Sequence, residues 1–292
     1  MENLEALATH CRTIERLISL LEAVRSVAEI AWRRAEQRFA PLTQYRNHVQ
    51  PLFSEVLIGL DLQQHYALLG ADADELPIAL LFITSERGLC GPFNDRLVAQ
   101  GLRHARKLST QGAMVRLLCL GDRGRRLLEA GGHQLLYAKP LPSLAIPTYV
   151  DIEEIALELL DFIEQRAFGR LLVVHNAPVR RFQYGATIST LFPPDLAAPA
   201  HPRQRRVVKP VHDTSALLTH LLTEHLLLGL YQAVIESAMS EQLARVYTMR
   251  LATENARKLL EKLQLDYSLA QSYTVTNSLL EIIAGYEATT KR

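Results

Sequence analysis

The stretch "ESAMSEQLARVYTMRLATENARKLLEKL", Glu236 to Leu263, lies inside a run from Leu230 to Ala284 that contains neither glycine nor proline. Because these two residue types weaken or end helices, their absence over such a length predicts one continuous helix. At 1.5 Å per residue, this helix would be about 80 Å long, which exceeds the width of a small domain. We therefore expect it to pair with another helix or to extend beyond a compact fold.

Both ends of the chain carry a seam of residues that alternates steps of three and four. The amino-terminal run from Met1 to Ala40 also lacks glycine and proline, and the first proline is Pro41. Such a seam is typical of coiled coils, so we predict an antiparallel coiled coil formed by the two chain ends, with an ordinary helical bundle as the alternative. The seam consists of Leu4, Leu7, Cys11, Ile14, Ile18, Leu21, Arg25, Ala28, Trp32, Ala35 and Phe39 in the first helix, and Ile235, Ala238, Gln242, Arg245, Met249, Ala252, Ala256, Leu259 and Leu263 in the last.

The middle of the chain alternates short apolar runs with helical patterns. Strand-helix-strand alternation predicts βαβ units, a mainly parallel sheet and a central Rossmann-like α/β domain. We place the first helix at 1–60, the α/β domain with a proline-rich basic connection at 61–210, and the last helix at 211–292. The predicted strands are Leu76–Thr84, Ala113–Gly121, Gly169–Ala177 and an edge strand at Phe182–Phe192, and the predicted helices are 94–108, 123–132 and 150–168.

Composition argues against several classes of protein. The 292 residues are 48% apolar and 22% charged, as in folded proteins, and the net charge of +1 argues against a general nucleic-acid binder. The three cysteines lie far apart, without the spacing of a metal site or a redox pair. The amino terminus does not resemble a secretory signal, and no apolar run is long enough to span a membrane.

The turn "SERGLCGPFN", Ser85 to Asn94, follows an apolar strand and invites a catalytic interpretation. It matches neither the dinucleotide-binding nor the P-loop pattern, and Pro92 removes a backbone N–H that an anion site would need. Cys90 is a candidate nucleophile, but a lone cysteine beside a leucine is more often a buried packing residue. We predict no catalytic residue, cofactor or metal site.

Three segments together resemble the gamma subunit of F-type rotary ATP synthases, the central stalk. Residues 236–267 carry the family's E-S-x-x-S-E-x-x-A-R pattern, followed by A-T-x-N-A and L-x-L-x-Y. The turn at 85–94 is similar to the family's S-D-[KR]-G-L-C-G-G-[FL]-N, and residues 21–39 resemble its amino-terminal helix. The order of helix, α/β domain and helix also matches, so the resemblance covers essentially the whole chain.

The resemblance implies a non-catalytic rotor that transmits torque between an ion-driven membrane ring and a catalytic hexamer. Its implied partners are the ATPase alpha and beta subunits, an epsilon-type subunit and the membrane c-ring, and its implied location is peripheral, on the cytoplasmic face of a bacterial inner membrane. Gly88, Cys90 and Gly91 would form a structural turn. Coiled-coil packing or solvation is the alternative for each residue with an implied partner contact: Arg25, Trp32, Arg245, Met249, Gln271, Thr276 and Glu281 at the hexamer, and Arg206 and Lys209 at the ring or epsilon subunit.

The chain also departs from the family pattern. Pro92 replaces a glycine, Val24 and Ser26 replace two methionines, and Leu269 and Gln271 replace two arginines. Changes at contact positions favour a divergent subunit of an alternative F-type ATPase with its own partners. Two other classes stay open, namely a coiled-coil scaffold unrelated to ATPases and a small-molecule enzyme that uses Cys90.

Overall fold

A computed structural model describes residues 2–59, 75–142, 146–180, 183–194 and 214–290. In these ranges, no helix has a stretch long and apolar enough to cross a membrane. The same ranges contain five helices and five strands: α1 (Glu2–Gly59), β1 (Ile78–Ile83), α2 (Phe93–Thr110), β2 (Val115–Leu120), α3 (Asp122–Ala130), β3 (Leu135–Lys139), α4 (Tyr149–Glu164), β4 (Arg170–Arg180), β5 (Gln183–Phe192) and α5 (Thr214–Thr290).

The five strands form one sheet in the order β3-β2-β1-β4-β5. The first four are parallel, and β5 pairs antiparallel with β4 at the edge. The predicted strands and the edge position of β5 are thereby confirmed. The apolar runs do not predict β3, because most of its side chains are only partly buried and no clear apolar run marks it.

Alternate residues of β1 face two different helical layers. Ala79, Leu81 and Ile83 pack in a core that includes α4 and α5, while Ile78, Leu80 and Phe82 pack in a second core with α2. This alternation is the period-two pattern of a sheet that is covered on both faces. The apolar face predicted for α4, from Ile152 to Ile163, is buried in the first core. The sheet therefore lies between helices on both sides, and α5 is part of its core.

Both terminal helices are longer than the runs without glycine or proline. Helix α1 continues through Pro41 to Gly59, and α5 begins at Thr214 and passes through Gly229. At Gly229 a Cβ atom would lie 2.3 Å from Leu191 Cδ1 of β5. The glycine is therefore required by the close approach of α5 to the sheet, and it does not end the helix.

The chain divides into two compact units. Unit 1 consists of residues 1–28 and 246–292, and unit 2 of residues 29–245. Within unit 1, Arg257 forms an ion pair with Glu22 at 2.6 Å, and within unit 2, Arg46 donates to the side chain of Gln232 at 2.5 Å. Later residues of α1 thus meet earlier residues of α5, which is the order of an antiparallel pair. The division at 1–60, 61–210 and 211–292 stays a prediction.

Burial along the helices follows the predicted seam closely. Every seam residue of α1 is buried or half-buried, and Ala28 and Ala35 are fully buried. In α5 the prediction is wrong at Leu259, which is 46% exposed, whereas Leu260 is half-buried. After Met249 the buried or half-buried residues are Ala252, Thr253, Ala256, Leu260, Leu263, Tyr267, Ala270 and Thr274.

Candidate functional site

The turn between β1 and α2 is held by buried hydrogen bonds. The side chain of Asn94 accepts from the Ser85 amide at 2.9 Å and donates to Ser85 Oγ at 2.8 Å. Gly91 has a φ of 59°, in the left-handed region that glycine tolerates best. Cys90 is buried against Phe93 and Ala244, and this burial raises the pKa of its thiol. A buried, protonated thiol is a poor nucleophile, so the geometry favours a structural turn.

The carboxyl edge of the sheet, where open α/β folds bind ligands, is occupied by the chain itself. Glu86 Oε2 accepts from the backbone amide of Asp122 at 3.0 Å and from that of Leu141 at 3.2 Å. Asp122 is the first residue of α3, where a nucleotide phosphate would otherwise meet free amides. A side-chain carboxylate thus lies at the amino terminus of α3, where a phosphate would otherwise bind.

Arg245 joins α5 to this turn. Its guanidinium donates to the carbonyl oxygen of Gly88 at 3.3 Å, and it also contacts Gln242 and Glu241 one turn earlier in α5. The Arg245 and Glu241 side chains are both largely buried. Three of its partners therefore lie in its own chain, and its predicted contact with another subunit stays a prediction.

The other predicted contact residues differ in exposure. Arg25 and Trp32 are half-buried in α1, and Met249 is buried in unit 1. The remaining three lie exposed along the last part of α5, and Thr276 donates its hydroxyl to the backbone of Ser272. Arg206 and Lys209 lie outside the described residues. The structure thus presents Gln271, Thr276 and Glu281 to solvent, whereas it packs Met249 inside.

A buried pair joins β4 to α5, and its only signal in the sequence is weak. His175 Nε2 donates to Glu236 Oε2 at 2.9 Å, with side-chain exposures of 4% and 14%. Glu236 also accepts from Gln232 Nε2 at 2.7 Å, and Gln232 in turn accepts from Arg46 of α1. Burial acts to raise the pKa of Glu236, but the hydrogen bonds from His175 and Gln232 outweigh it and lower that pKa. The position of His175 at the end of an apolar strand was the available signal.

In the part of the chain that the structure describes, no three histidine, cysteine, aspartate or glutamate side chains are placed to hold a metal ion. The described geometry brings together a structural turn, a side-chain carboxylate at the amino terminus of α3 and a set of polar contacts to α5. The turn and the polar contacts hold α5 on the sheet.

Comparison with known proteins gives matches over the whole chain. A family model described as ATP synthase matches residues 3–289. The chain is 27% identical over 292 residues to the ATP synthase gamma chain of Roseobacter denitrificans, covering 99% of this chain and 100% of that one. It is 26% identical over 287 residues to the gamma chain of Syntrophobacter fumaroxidans, covering 95% and 96%.

Solved structures match the fold. One is a chain of the Euglena gracilis mitochondrial ATP synthase in its OSCP/F1/c-ring structure, with a TM-score of 0.68 at 14% identity, covering 99% of this chain and 95% of that one. Another, from the rotor of the same organism's enzyme, has a TM-score of 0.62 at 13% identity, covering 94% and 99%. At these identities the likeness concerns the fold alone.

Proposed function

The chain belongs to the ATP synthase family, as a subunit of the gamma type found in the central stalk, and we propose that it transmits torque between a membrane ion-driven ring and a catalytic alpha/beta hexamer. Its proposed partners are the alpha and beta subunits, an epsilon-type subunit and the c-ring. Its proposed location is peripheral, on the cytoplasmic face of a bacterial inner membrane. The relatives named above are bacterial gamma chains, which supports this assignment.

One observation carries the proposal: the last part of α5 is exposed and apolar over much of its circumference. Six large apolar side chains between 273 and 283 are at least 54% exposed, and at 100° per residue they spread over about half of the helix. The seam residues Ala270 and Thr274 occupy another side. An exposed apolar face that covers half of a helix marks a surface that another protein covers. The six residues are Tyr273, Val275, Leu279, Leu280, Ile282 and Ile283.

A ring of alternating alpha and beta subunits that surrounds this segment would cover its apolar face. The segment contains few charges, with Glu281 at its edge, so its contacts are mainly apolar. A helix whose contacts with its surroundings are mainly apolar can rotate relative to them without breaking ion pairs. This supports a rotating shaft better than a fixed scaffold.

The rotor carries out no chemistry of its own in this proposal. The burial of Cys90 and the position of the Glu86 carboxylate at the amino terminus of α3 support a mechanical role for the α/β part. Leu269, 62% exposed, stands where the family resemblance implies an arginine. We propose that the matching surface of the hexamer is apolar, as in an ATPase with its own set of subunits.

Affinity purification of the tagged chain from its host tests the proposal. We expect alpha and beta subunits to co-purify, with ATP hydrolysis coupled to ion pumping in membrane vesicles. The double variant Leu280→Glu/Ile283→Glu should lower this coupling strongly, because it places two charges on the apolar face of α5 that the hexamer is proposed to cover. The matched control Glu261→Gln, on an exposed position of the same helix, should leave coupling unchanged.

Two results would contradict the proposal. One is recovery of the chain as a self-associated species without alpha or beta subunits, which would favour the scaffold class. The other is full coupling in the Leu280→Glu/Ile283→Glu variant when circular dichroism shows its helical content to be intact. A third measurement, loss of all activity in Cys90→Ala with normal assembly, would favour the enzyme class.

A further inference from the structure

An open groove in unit 2 has a composition that the stalk role does not use. It has a volume of about 610 Å³ and lies between α1, the start of α4 and the early part of α5. Three tyrosines, Tyr45, Tyr149 and Tyr231, line it together with Glu224 and Arg38, over an apolar floor that includes Leu42. Tyrosine rings, an apolar floor and a carboxylate are the elements of a site that binds an organic cation.

Two of the tyrosine rings that line the groove contact each other edge to face. The centroids of Tyr149 and Tyr231 are 5.8 Å apart, and their planes meet at 81°. In this contact the edge of one ring covers part of the other ring's face, and a cation is attracted to the ring face that stays open to the groove. Tyr45 lines the same groove from α1 and is 52% exposed, so its ring is available as a third wall.

The carboxylate in the groove accepts a hydrogen bond from a tyrosine hydroxyl. The Tyr149 hydroxyl donates to Glu224 Oε2 at 3.2 Å, and among the described residues no lysine, arginine or histidine forms an ion pair with Glu224. Burial, and then the neighbouring Glu224, raises the pKa of Tyr149 to about 12, so this hydroxyl stays protonated at neutral pH. Glu153 acts on Tyr149 in the same direction and adds to the negative potential.

Arg38 shares the groove but is held by other groups. Its guanidinium nitrogen Nη1 donates to the carbonyl oxygens of Ile146 at 3.1 Å and Pro147 at 3.3 Å, which lie in the segment before α4. The arginine thus fastens α1 to that segment and forms no ion pair with Glu224. Glu224 is half-buried and accepts a hydrogen bond from Tyr149, and among the described residues it has no ion-pair partner, so it can pair with a cation that enters the groove.

We propose that this groove binds a cationic side chain, lysine or arginine, that is presented by a partner polypeptide. The tyrosine faces and Glu224 supply the attraction, and Leu42 contacts the alkyl stem. Sites for small ligands enclose 70–90% of the ligand surface. An open groove would leave a small free amine largely in water, whereas a partner's surface would close over its own side chain. The proposal concerns a binding site and does not depend on the rotor role.

Binding of a blocked amino acid to the purified full-length chain tests this, with dissociation constants measured by NMR titration. The probe is Nα-acetyl-lysine N-methylamide, and the uncharged Nα-acetyl-norleucine N-methylamide is the matched probe. We expect Glu224→Gln and Tyr231→Leu each to weaken binding of the lysine probe about fivefold. The matched control Glu164→Gln, an exposed change at the far end of α4, should bind the lysine probe within about twofold of wild type.

Tyr45 is exposed, so its replacement should not disturb folding. Tyr45→Leu should weaken binding of the lysine probe about threefold, and the circular dichroism spectrum should stay unchanged. Equal binding of the norleucine probe, absence of any binding, or unchanged affinity in both Glu224→Gln and Tyr45→Leu would overturn the proposal. Tighter binding of free putrescine than of the lysine probe would overturn the assignment to a partner side chain and assign the groove to small amines.

Discussion

Replacing Glu236 by methionine tests whether the buried pair with His175 holds α5 on the sheet. Methionine keeps the approximate shape of the side chain and removes its charge and both acceptor oxygens. The variant leaves His175 Nε2 buried without its partner, in a side chain whose Nδ1 has no hydrogen-bond partner among the described residues. Gln232 also loses an acceptor, but this half-buried amide can turn towards water.

The expected cost follows from these two losses. Leaving a buried donor without a partner costs about 1–3 kcal/mol, and a hydrogen bond lost at a half-buried group costs about 1 kcal/mol. We therefore expect Glu236→Met to lower the free energy of unfolding of unit 2 by about 2–4 kcal/mol. Replacing both partners, in His175→Leu/Glu236→Met, should recover part of this loss, because no buried polar atom of the pair is then left unpaired.

The single tryptophan makes the measurement specific to unit 2. Trp32 is the only tryptophan and lies in that unit, so its fluorescence during urea unfolding reports on unit 2 separately from unit 1. Glu164→Met, an exposed change in α4, serves as the control and should shift the unfolding free energy by less than about 0.5 kcal/mol. A loss below about 0.5 kcal/mol for Glu236→Met, or strictly additive effects in the double variant, would refute this role of the pair.

The same pair gives unit 2 a dependence of stability on pH. The pKa of Glu236 is lower in the folded chain than in the unfolded one, so its contribution is complete above the unfolded value, near about 4.3. As the pH falls through the lower, folded pKa, the contribution is lost. Wild type should therefore lose stability in acid more steeply than Glu236→Met. Parallel acid profiles for the two chains would contradict this assignment.

Two further predictions concern packing and thiol chemistry. Gly229→Ala should destabilise unit 2 by about 1–3 kcal/mol in the same urea assay, because its Cβ would lie 2.3 Å from Leu191 Cδ1. Measured in a chain that already carries Leu191→Ala, the same substitution should cost less, because that contact is gone. A neutral Gly229→Ala would show that α5 does not need the close approach. Ellman's reagent at pH 7.5 should modify Cys11, which is half-buried, well before Cys90 and Cys119, which are buried and whose pKa values are raised by that burial, to about 12 for Cys119. Rapid reaction of Cys90 in the folded chain would contradict the packing of the turn.

The coiled-coil seam shows how far periodicity can predict this fold. In α1 every residue of the predicted seam is buried or half-buried, whereas Leu20, Val27 and Ile30, which are apolar but off the seam, are exposed. In α5 the step after Ala256 leads either to Leu259 or to Leu260, and apolarity does not distinguish two leucines. The inward face of α5 includes Thr253, whose hydroxyl donates to the Met249 carbonyl at 2.9 Å. A threonine that bonds to its own helix can lie inside, so polarity alone misleads there.

The ties between α5 and the sheet depend on three-dimensional register, which the sequence does not display. His175 and Glu236 are 61 residues apart, and their contact follows only once β4 and α5 are placed against each other. Glu86 likewise has an ordinary sequence context, and its role at the start of α3 depends on the parallel alignment of β1 and β2. The strands, the edge position of β5 and the buried face of α4 are local patterns, and these the sequence predicts.

The polar ties have a mechanical consequence for the stalk role. Apolar packing alone lets a helix rotate or slide by small steps at little cost, whereas a directional hydrogen bond fixes one orientation. Helix α5 is fixed at three levels along its length: His225 contacts the Leu191 carbonyl at 3.1 Å, Glu236 accepts from His175, and Arg245 donates to the Gly88 carbonyl. At each of these three levels, a directional hydrogen bond therefore resists rotation of this part of α5 relative to the sheet of unit 2.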